Sequence, residues 1–226
     1  MKKYILGISV LCTLLFSSCE KDNYDEPKSD LVGKIISTTT KEAIGVRQTE
    51  GAVQMQLWQD GYELSNVSIP VYVNQDGTFS AKLFNGTYKL VTKDNNGPWV
   101  NDRDTIIIQV KGTTSVEYPV KPYFTLSDEK FVLNGNTLTA TFNIDQENAI
   151  QNRSIERVTL YVNNTVFVDN SFKKANKDVS SPIVGNNSVS LDISNISNSV
   201  ALYARIGIKI SGVEQLIYTT GSVRIK

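Results

Sequence analysis

Hydrophobic and polar side chains alternate with a period of two in several segments of the chain, a pattern typical of β-strands with one buried face. The clearest alternations cover residues 137–145, 158–162 and 202–210. Another runs through residues 67–73, where Pro70 predicts an edge strand or a bulge. No window longer than about ten residues has a helical period with capping residues. The pattern therefore predicts an all-β fold.

Frequent turns and a proline pair predict how this β region is divided. Many short strands separated by turns are typical of sandwiches and barrels, and the region could form one large sandwich or two small ones. Residues 118–122 contain two prolines, which remove backbone donors and should interrupt sheet pairing. We therefore predict two consecutive antiparallel β-sandwich domains, at residues 30–119 and 120–226. The turn-forming pairs are Asp60-Gly61, Asp76-Gly77, Asn85-Gly86, Asn96-Gly97, Lys111-Gly112, Asn134-Gly135 and Ser211-Gly212.

Residues 1–18 have the features of a cleaved bacterial leader. Two lysines precede the apolar residues 5–16, and two serines stand directly before Cys19. Twelve apolar residues in a helix span roughly 18 Å, less than the ~30 Å hydrocarbon core of a bilayer. Residues 16–19 resemble the lipoprotein signal, which implies cleavage before Cys19 and lipidation of this residue. A plain secretory signal is the alternative.

Residues 19–29 are polar and acidic and lack apolar periodicity, which predicts a flexible tether between the lipid and the first domain. An acidic segment directly after the lipidated cysteine also resembles the surface-export signal of Bacteroidetes lipoproteins. This resemblance implies a protein anchored to the outer membrane and facing the cell exterior. A spacer without export function is the alternative.

The composition excludes several kinds of chemistry. The chain contains no histidine, so it cannot use a Ser-His-Asp triad or histidine-ligated zinc. Its two cysteines, Cys12 and Cys19, lie in the leader or at its end. Lys+Arg and Asp+Glu both number 23, and removal of Lys2 and Lys3 leaves 21 against 23, a net charge of −2. This balance gives no basic face for nucleic acid, and we predict no cofactor.

Residues 76–90 contain two turns, Asp76-Gly77 and Asn85-Gly86, with the apolar residues between and after them predicted to face inward. This D-G-x-F…L-x-x-G-x-Y-x-L pattern resembles the transthyretin-like, carboxypeptidase-regulatory type of sandwich. Residues 31–36 resemble the first strand of that fold, and the variable segment 38–51 follows them.

Together with the leader, the whole chain resembles a family of two-domain Bacteroidetes lipoproteins associated with starch-utilisation-like glycan uptake. The resemblance implies an immunoglobulin-like second domain. It also implies a setting beside an outer-membrane transporter and a glycan-binding lipoprotein. It transfers a fold and a neighbourhood and no catalytic residue.

The segment 94–104 is the first candidate binding site. Sugar-binding sites combine a flat aromatic ring with amide, carboxylate or guanidinium groups, and Trp99, Asn101, Asp102 and Arg103 supply this combination. In the alternative, Trp99 caps the end of the sandwich and the polar residues are solvated. Calcium is a second possible ligand through Asp94 and Asp102, but the regular ligand spacing is missing, and we predict no metal site.

Trp58 and Tyr62 form a second candidate site. If Val53, Met55 and Leu57 face the core, Trp58 lies on the opposite face, where either a ligand or the segment 38–51 covers it. In the C-terminal half, the alternation predicts outward positions for Tyr161, Tyr203 and Arg205, a weaker indication of binding.

Glycoside hydrolases need two carboxyl groups about 5–10 Å apart across a cleft, whereas the acidic residues here lie in turns and in the tether. We therefore predict a non-enzymatic cell-surface lipoprotein that assists the capture of a polysaccharide or oligosaccharide. The alternative is a structural or assembly partner of outer-membrane complexes that binds no sugar.

Overall fold

The computed structural model describes residues 25–48, 52–61, 67–146, 153–196 and 201–226. All the regular elements in these ranges are β-strands, which confirms the predicted all-β class. No helix in the described ranges is long and apolar enough to cross a membrane. The strands are β1 (Ser29–Ser37), β2 (Gln54–Trp58), β3 (Ile69–Tyr72), β4 (Thr78–Leu83), β5 (Gly86–Thr92), β6 (Ile106–Val110), β7 (Thr113–Val120), β8 (Phe124–Asn134), β9 (Thr137–Gln146), β10 (Ile155–Asn163), β11 (Ala175–Asp178), β12 (Gly185–Asp192), β13 (Tyr203–Ile210), β14 (Ile217–Tyr218) and β15 (Val223–Arg224).

The N-terminal domain contains a three-stranded sheet, β4-β1-β7, and a four-stranded sheet, β3-β2-β5-β6. The inward alternation predicted for residues 76–90 is present, since Phe79, Tyr88 and Leu90 are all buried. β1 pairs with β7 in parallel, so this one pair of strands departs from the predicted antiparallel arrangement. Parallel neighbours need a long connection, and here the other five strands of the domain provide it.

The edge strand β3 follows the predicted alternation only in part. Pro70 lies on this edge, as predicted. Val71 and Val73 are buried, whereas Val67 and Ile69 are 66% and 39% exposed. The two exposed positions therefore lie before β3 and at its first residue, at the beginning of this edge strand.

The C-terminal domain contains the sheet β12-β9-β8 and a second sheet, β11-β10-β13-β14, in which β15 also pairs with β13. The predicted alternation in β9 is confirmed, because Leu138, Ala140, Phe142 and Ile144 are at most 2% exposed. The next strand along the chain, β10, is different, since every residue from 158 to 163 is buried. This part of the strand is therefore covered on both faces.

The connection between the domains is short. β7 includes Pro119, which pairs in register with Ile36. The prediction that this proline interrupts sheet pairing is therefore wrong. Pro119 is tolerated because β7 is an edge strand of its sheet. Only residues 121–123 separate β7 from β8. β1 likewise begins at Ser29, at the end of the predicted tether, where its hydroxyl lies 2.5 Å from the side-chain oxygen of Asn85.

The two domains meet around Arg205 of β13, whose side chain is fully buried. Its Nη1 donates to the carbonyl oxygen of Val46 at 2.9 Å and its Nη2 to that of Gln75 at 2.5 Å, both in the N-terminal domain. Within its own domain, Nε donates to the carbonyl of Thr219 at 2.9 Å, and the guanidinium carbon lies 4.6 Å from the centre of the Tyr218 ring. Burial lowers the pKa of Arg205 to about 9, so the group is still charged at pH 7.

Residues 43–47 form much of the N-terminal side of this interface. The amide of Tyr218 donates to the carbonyl of Gly45 at 2.9 Å, in an isolated antiparallel bridge. A Cβ at Gly45 would lie 2.4 Å from the Tyr218 carbonyl oxygen, so this close approach requires glycine. The side chain of Gln75 donates to the carbonyl of Val166 and accepts from the amide of Val168.

This interface corrects the prediction that Tyr161, Tyr203 and Arg205 point into solvent. The predicted alternation is right, because Ala204 and Ile206 face the sandwich core. Nevertheless, Tyr161 is 2% and Arg205 is 0% exposed, and Tyr203 is half-buried. The face opposite the core is covered by the other domain and by a small cluster consisting of Tyr161, Val168, Leu216 and Tyr218.

Candidate functional site

The segment 94–104 connects β5 to β6 and packs against the linker between the domains. Trp99 forms an isolated bridge with Pro122, and the amide of Val100 donates to the carbonyl of Lys121 at 2.9 Å. The indole is only 4% exposed and belongs to the main hydrophobic core. A Cβ at Gly97 would lie 2.1 Å from the indole, so glycine is needed for the ring to fit. This geometry matches the alternative that Trp99 caps the sandwich.

The polar residues of the same segment are bonded within the protein. Asn101 donates to Asp94 at 2.7 Å and accepts from the amide of Asn95 at 3.0 Å. Asp102 forms a 2.8 Å salt bridge with Lys121 of the linker, and this bond raises the pKa of the lysine. These contacts give Asp94 and Asp102 different partners.

Arg103 extends back over β2 and β5. Its Nε donates to the carbonyl of Thr92 at 3.2 Å, and its Nη2 donates to the side-chain oxygen of Gln56 at 3.0 Å. Nearby, the hydroxyl of Tyr118 donates to the carbonyl of Asp104, and burial raises the pKa of this tyrosine. The segment therefore uses its polar side chains largely to hold its own shape and to fix the linker.

A small cleft lies where this segment meets the C-terminal domain, and we call it the linker cleft. Its volume is about 210 Å³, and both domains contribute to its walls. Asn95 and Asn101 are exposed at its edge, while Trp99 and Tyr123 contribute buried aromatic rings. The lining residues are Asn95, Gly97, Trp99, Asn101, Tyr123, Arg153, Gly212, Val213 and Glu214.

Two charged side chains enter the linker cleft from the C-terminal domain. The guanidinium carbon of Arg153 lies 5.7 Å from the centre of the Tyr123 ring, and its Nη1 donates to the carbonyl of Ser211 at 3.3 Å. Glu214 is exposed on the turn that follows β13. The cleft thus combines aromatic rings, amides and both signs of charge within one small volume.

The predicted site residues are only partly brought together. Trp99 and Asn101 line the linker cleft, whereas Asp102 and Arg103 bind Lys121 and the β2–β5 region. The first candidate segment contacts the beginning of β2, where the amide of Gln54 donates to Asn96. Trp58 is four residues further along β2, a distance of roughly 13 Å. The structure therefore separates the two predicted sites.

Trp58 is half-buried on the face opposite Met55 and Leu57, as predicted. Residues 43–47 of the segment proposed to cover it pack against the C-terminal domain. Beside Trp58, Lys89 forms a 2.7 Å salt bridge with Asp60. Tyr62 lies outside the described residues, as does the predicted lipidation site at Cys19.

Sequence patterns did not identify Tyr123, Arg153 and Glu214 as site residues. They come from three separate stretches of the C-terminal domain, and only the docking of the domains places them beside Trp99. The proline before Tyr123 indicated a linker but not a cleft. Within the described ranges, no group of three acidic or cysteine side chains is arranged to hold a metal ion.

Comparison with known proteins places the chain in a family. Residues 29–121 match the N-terminal domain of DUF3823, described as a protein of unknown function, and residues 124–222 match the domain DUF3823_C. The chain belongs to the DUF3823 family. No protein with a curated description matches it.

Solved structures of two DUF3823 proteins and of one further protein share this fold across both domains. One from Parabacteroides merdae is 41% identical, covers 89% of this chain and 100% of its own, and has a TM-score of 0.81. One from Bacteroides ovatus is 37% identical, covers 88% and 100%, and has a TM-score of 0.76. A third, from Bacteroides uniformis, is 22% identical with a TM-score of 0.72 over 88% and 99% of the two chains, a likeness that shows the fold alone.

We expect Trp99→Ala to destabilise this DUF3823 protein by about 3–5 kcal/mol, as truncation of a buried aromatic residue usually does. Ile107→Ala is the matched control, because Ile107 is 67% exposed and its truncation should cost less than about 0.5 kcal/mol. Denaturant unfolding of both variants measures the difference.

Fluorescence checks the same point independently. With Trp58 replaced by phenylalanine, the emission of Trp99 should be blue-shifted and resistant to acrylamide quenching. A red-shifted, readily quenched emission, together with a small loss of stability in Trp99→Ala, would show that the indole is exposed to solvent.

Proposed function

We propose that this DUF3823 protein is a non-enzymatic accessory protein that binds glycan in the linker cleft. The observation that supports this function best is the combination of aromatic and polar groups at one junction. Sugar rings have apolar faces and a belt of hydroxyl groups, which suit aromatic edges beside amide and charged side chains. Here Trp99 and Tyr123 supply the rings, and Asn95, Asn101 and Glu214 supply polar groups.

The size of the cleft limits the ligand. A volume of 210 Å³ corresponds to about seven water molecules, well below the ~300 Å³ at which drug-sized pockets begin. This volume suits one sugar unit of a chain, held at the end or at a branch. The rest of the glycan would lie along the surface of the two domains.

A relative lends support to a binding function. The Bacteroides uniformis protein of the same fold has a name that proposes carbohydrate binding. At 22% identity this name cannot assign a ligand to the present chain. It is consistent with a binding function for a protein of this fold.

We place the protein on the outer membrane, anchored by lipid at Cys19 and facing the cell exterior. Residues 16–19 have the lipoprotein pattern, and residues 25–28 lead to β1 without regular structure. Residues 19–28 would reach at most about 36 Å, which keeps the domains close to the membrane. An outer-membrane transporter and a glycan-binding lipoprotein are the partners that this setting favours. Transthyretin-like and immunoglobulin-like assignments of the two domains remain predictions.

Assembly without sugar binding is the second candidate function. Several large apolar side chains of the C-terminal domain are 43–58% exposed, and such exposure favours contact with another protein. They are Val166, Phe167, Phe172, Ile183 and Val184.

Glycan binding can be tested by titrating the mature chain against a panel of bacterial and plant oligosaccharides. We expect saturable binding to at least one, and Glu214→Trp should weaken it at least tenfold, because the indole would fill the cleft. Glu156→Trp is the control, since Glu156 is an exposed acid of the same domain outside the cleft. If no glycan binds, or both variants bind like the wild type, the cleft is not the site.

The proposed lipid anchor is tested by Cys19→Ala. The variant should remain unlipidated and leave the membrane fraction, because a single small change removes the only proposed anchor. Partition into detergent, with lipid labelling of the wild type as a control, measures this. A variant that stays in the detergent phase would contradict the lipoprotein assignment.

A further inference from the structure

Arg153 lines the C-terminal wall of the linker cleft and Lys209 lies behind it, and neither cation has a carboxylate partner among the described residues. The six salt bridges among the described residues include neither Arg153 nor Lys209. Lys209 donates to the carbonyl oxygens of Val213 and Glu214, both of which line the cleft. Arg153 is half-buried and donates to the carbonyl of Ser211. Within the described part of the chain, the close partners of these two cations are therefore carbonyl oxygens and the Tyr123 ring.

The position of Arg153 is fixed from two sides. Its guanidinium lies over the Tyr123 ring, and its Nη1 lies 2.6 Å from where a Cβ of Gly212 would be. Glycine at this turn, with a φ of +71°, leaves room for the guanidinium. A guanidinium has five donors, and one of them is used by Ser211. The other donors have no hydrogen-bond partner among the described residues, and a guanidinium can make a planar, two-point contact with a carboxylate.

A larger groove between the domains provides a contrast. Its volume is about 410 Å³, and its walls contain Glu42, Glu129 and Asp145 but no lysine or arginine. An anionic ligand would be repelled there, whereas the linker cleft offers it Arg153. Glu214 is the one acid that lines the linker cleft, and it forms no salt bridge with Arg153.

We propose that the linker cleft selects an acidic sugar, with Arg153 binding the carboxylate of a uronic acid unit. The ring of that unit would lie against the aromatic edges of Trp99 and Tyr123, and Asn95 and Asn101 would bond its hydroxyls. This inference rests on the proposed function, because it names the class of sugar that the same cleft takes. Lys209 adds long-range attraction from behind the turn.

Calorimetric titration of the mature chain with oligogalacturonides tests the proposal, with neutral xylo-oligosaccharides and cello-oligosaccharides of equal length as comparators. We expect the acidic series to bind at least tenfold more tightly than the neutral ones, with an affinity that falls as salt is added. Arg153→Gln should remove at least tenfold of the acidic affinity, and Glu214→Gln should increase it.

Arg157→Gln is the matched control, since Arg157 lies on the neighbouring strand β10, is 43% exposed and is outside the cleft. Equal binding of acidic and neutral series, or equal effects of the two arginine changes, would overturn the acidic selectivity and leave glycan binding intact. Absence of binding by every probe would overturn both the selectivity and the proposed function. Proper folding of each variant is checked by its circular dichroism and melting temperature.

Discussion

A single buried guanidinium organises the arrangement of the two domains. Arg205 has no solvent contact, so its charge must be stabilised by the protein alone. Carbonyl oxygens from both domains and the face of the Tyr218 ring stabilise this charge. Two of those carbonyls reach Arg205 only when the N-terminal domain is docked. Separation of the domains would remove the Arg205 donor from both carbonyls, and among the described residues only that of Gln75 would keep another donor, the amide of Val46. The docked geometry is therefore the one in which the buried guanidinium has its partners.

This constraint also determines where the linker cleft forms. With the domains fixed and only residues 121–123 between them, the turn after β13 is held opposite the segment 94–104. The linker cleft is a consequence of that placement, because neither domain forms it alone. Trp99 contributes to both features: its ring is buried against the linker, and its remaining edge lines the cleft. The proposed binding site and the docking of the domains thus share the same junction.

Local patterns predicted the local structure well. Period-two alternation identified the core side of β9 and β13 because burial within a sandwich repeats with every second residue. The same alternation placed Arg205 on the face opposite the core. It could not predict what covers that face, because Val46, which accepts a hydrogen bond from Arg205, is 159 residues away in the sequence. The parallel pairing of β1 with β7 also joins distant segments. The combination of Trp99 with polar groups in segment 94–104 indicated binding. The sequence did not reveal the burial of Trp99, because that burial depends on Pro122, which follows β7.

Scanning calorimetry of the mature chain and of Arg205→Met tests the rigid junction most directly. One body should unfold in one transition, with equal calorimetric and van't Hoff enthalpies. Loss of the guanidinium should cost roughly 3–5 kcal/mol and lower the Tm by about 6–20 °C, because it leaves buried carbonyls without donors. Arg157→Met, at an exposed position, should melt like the wild type. Two separate transitions in the wild type, or an unchanged Tm in Arg205→Met, would contradict a junction held by Arg205.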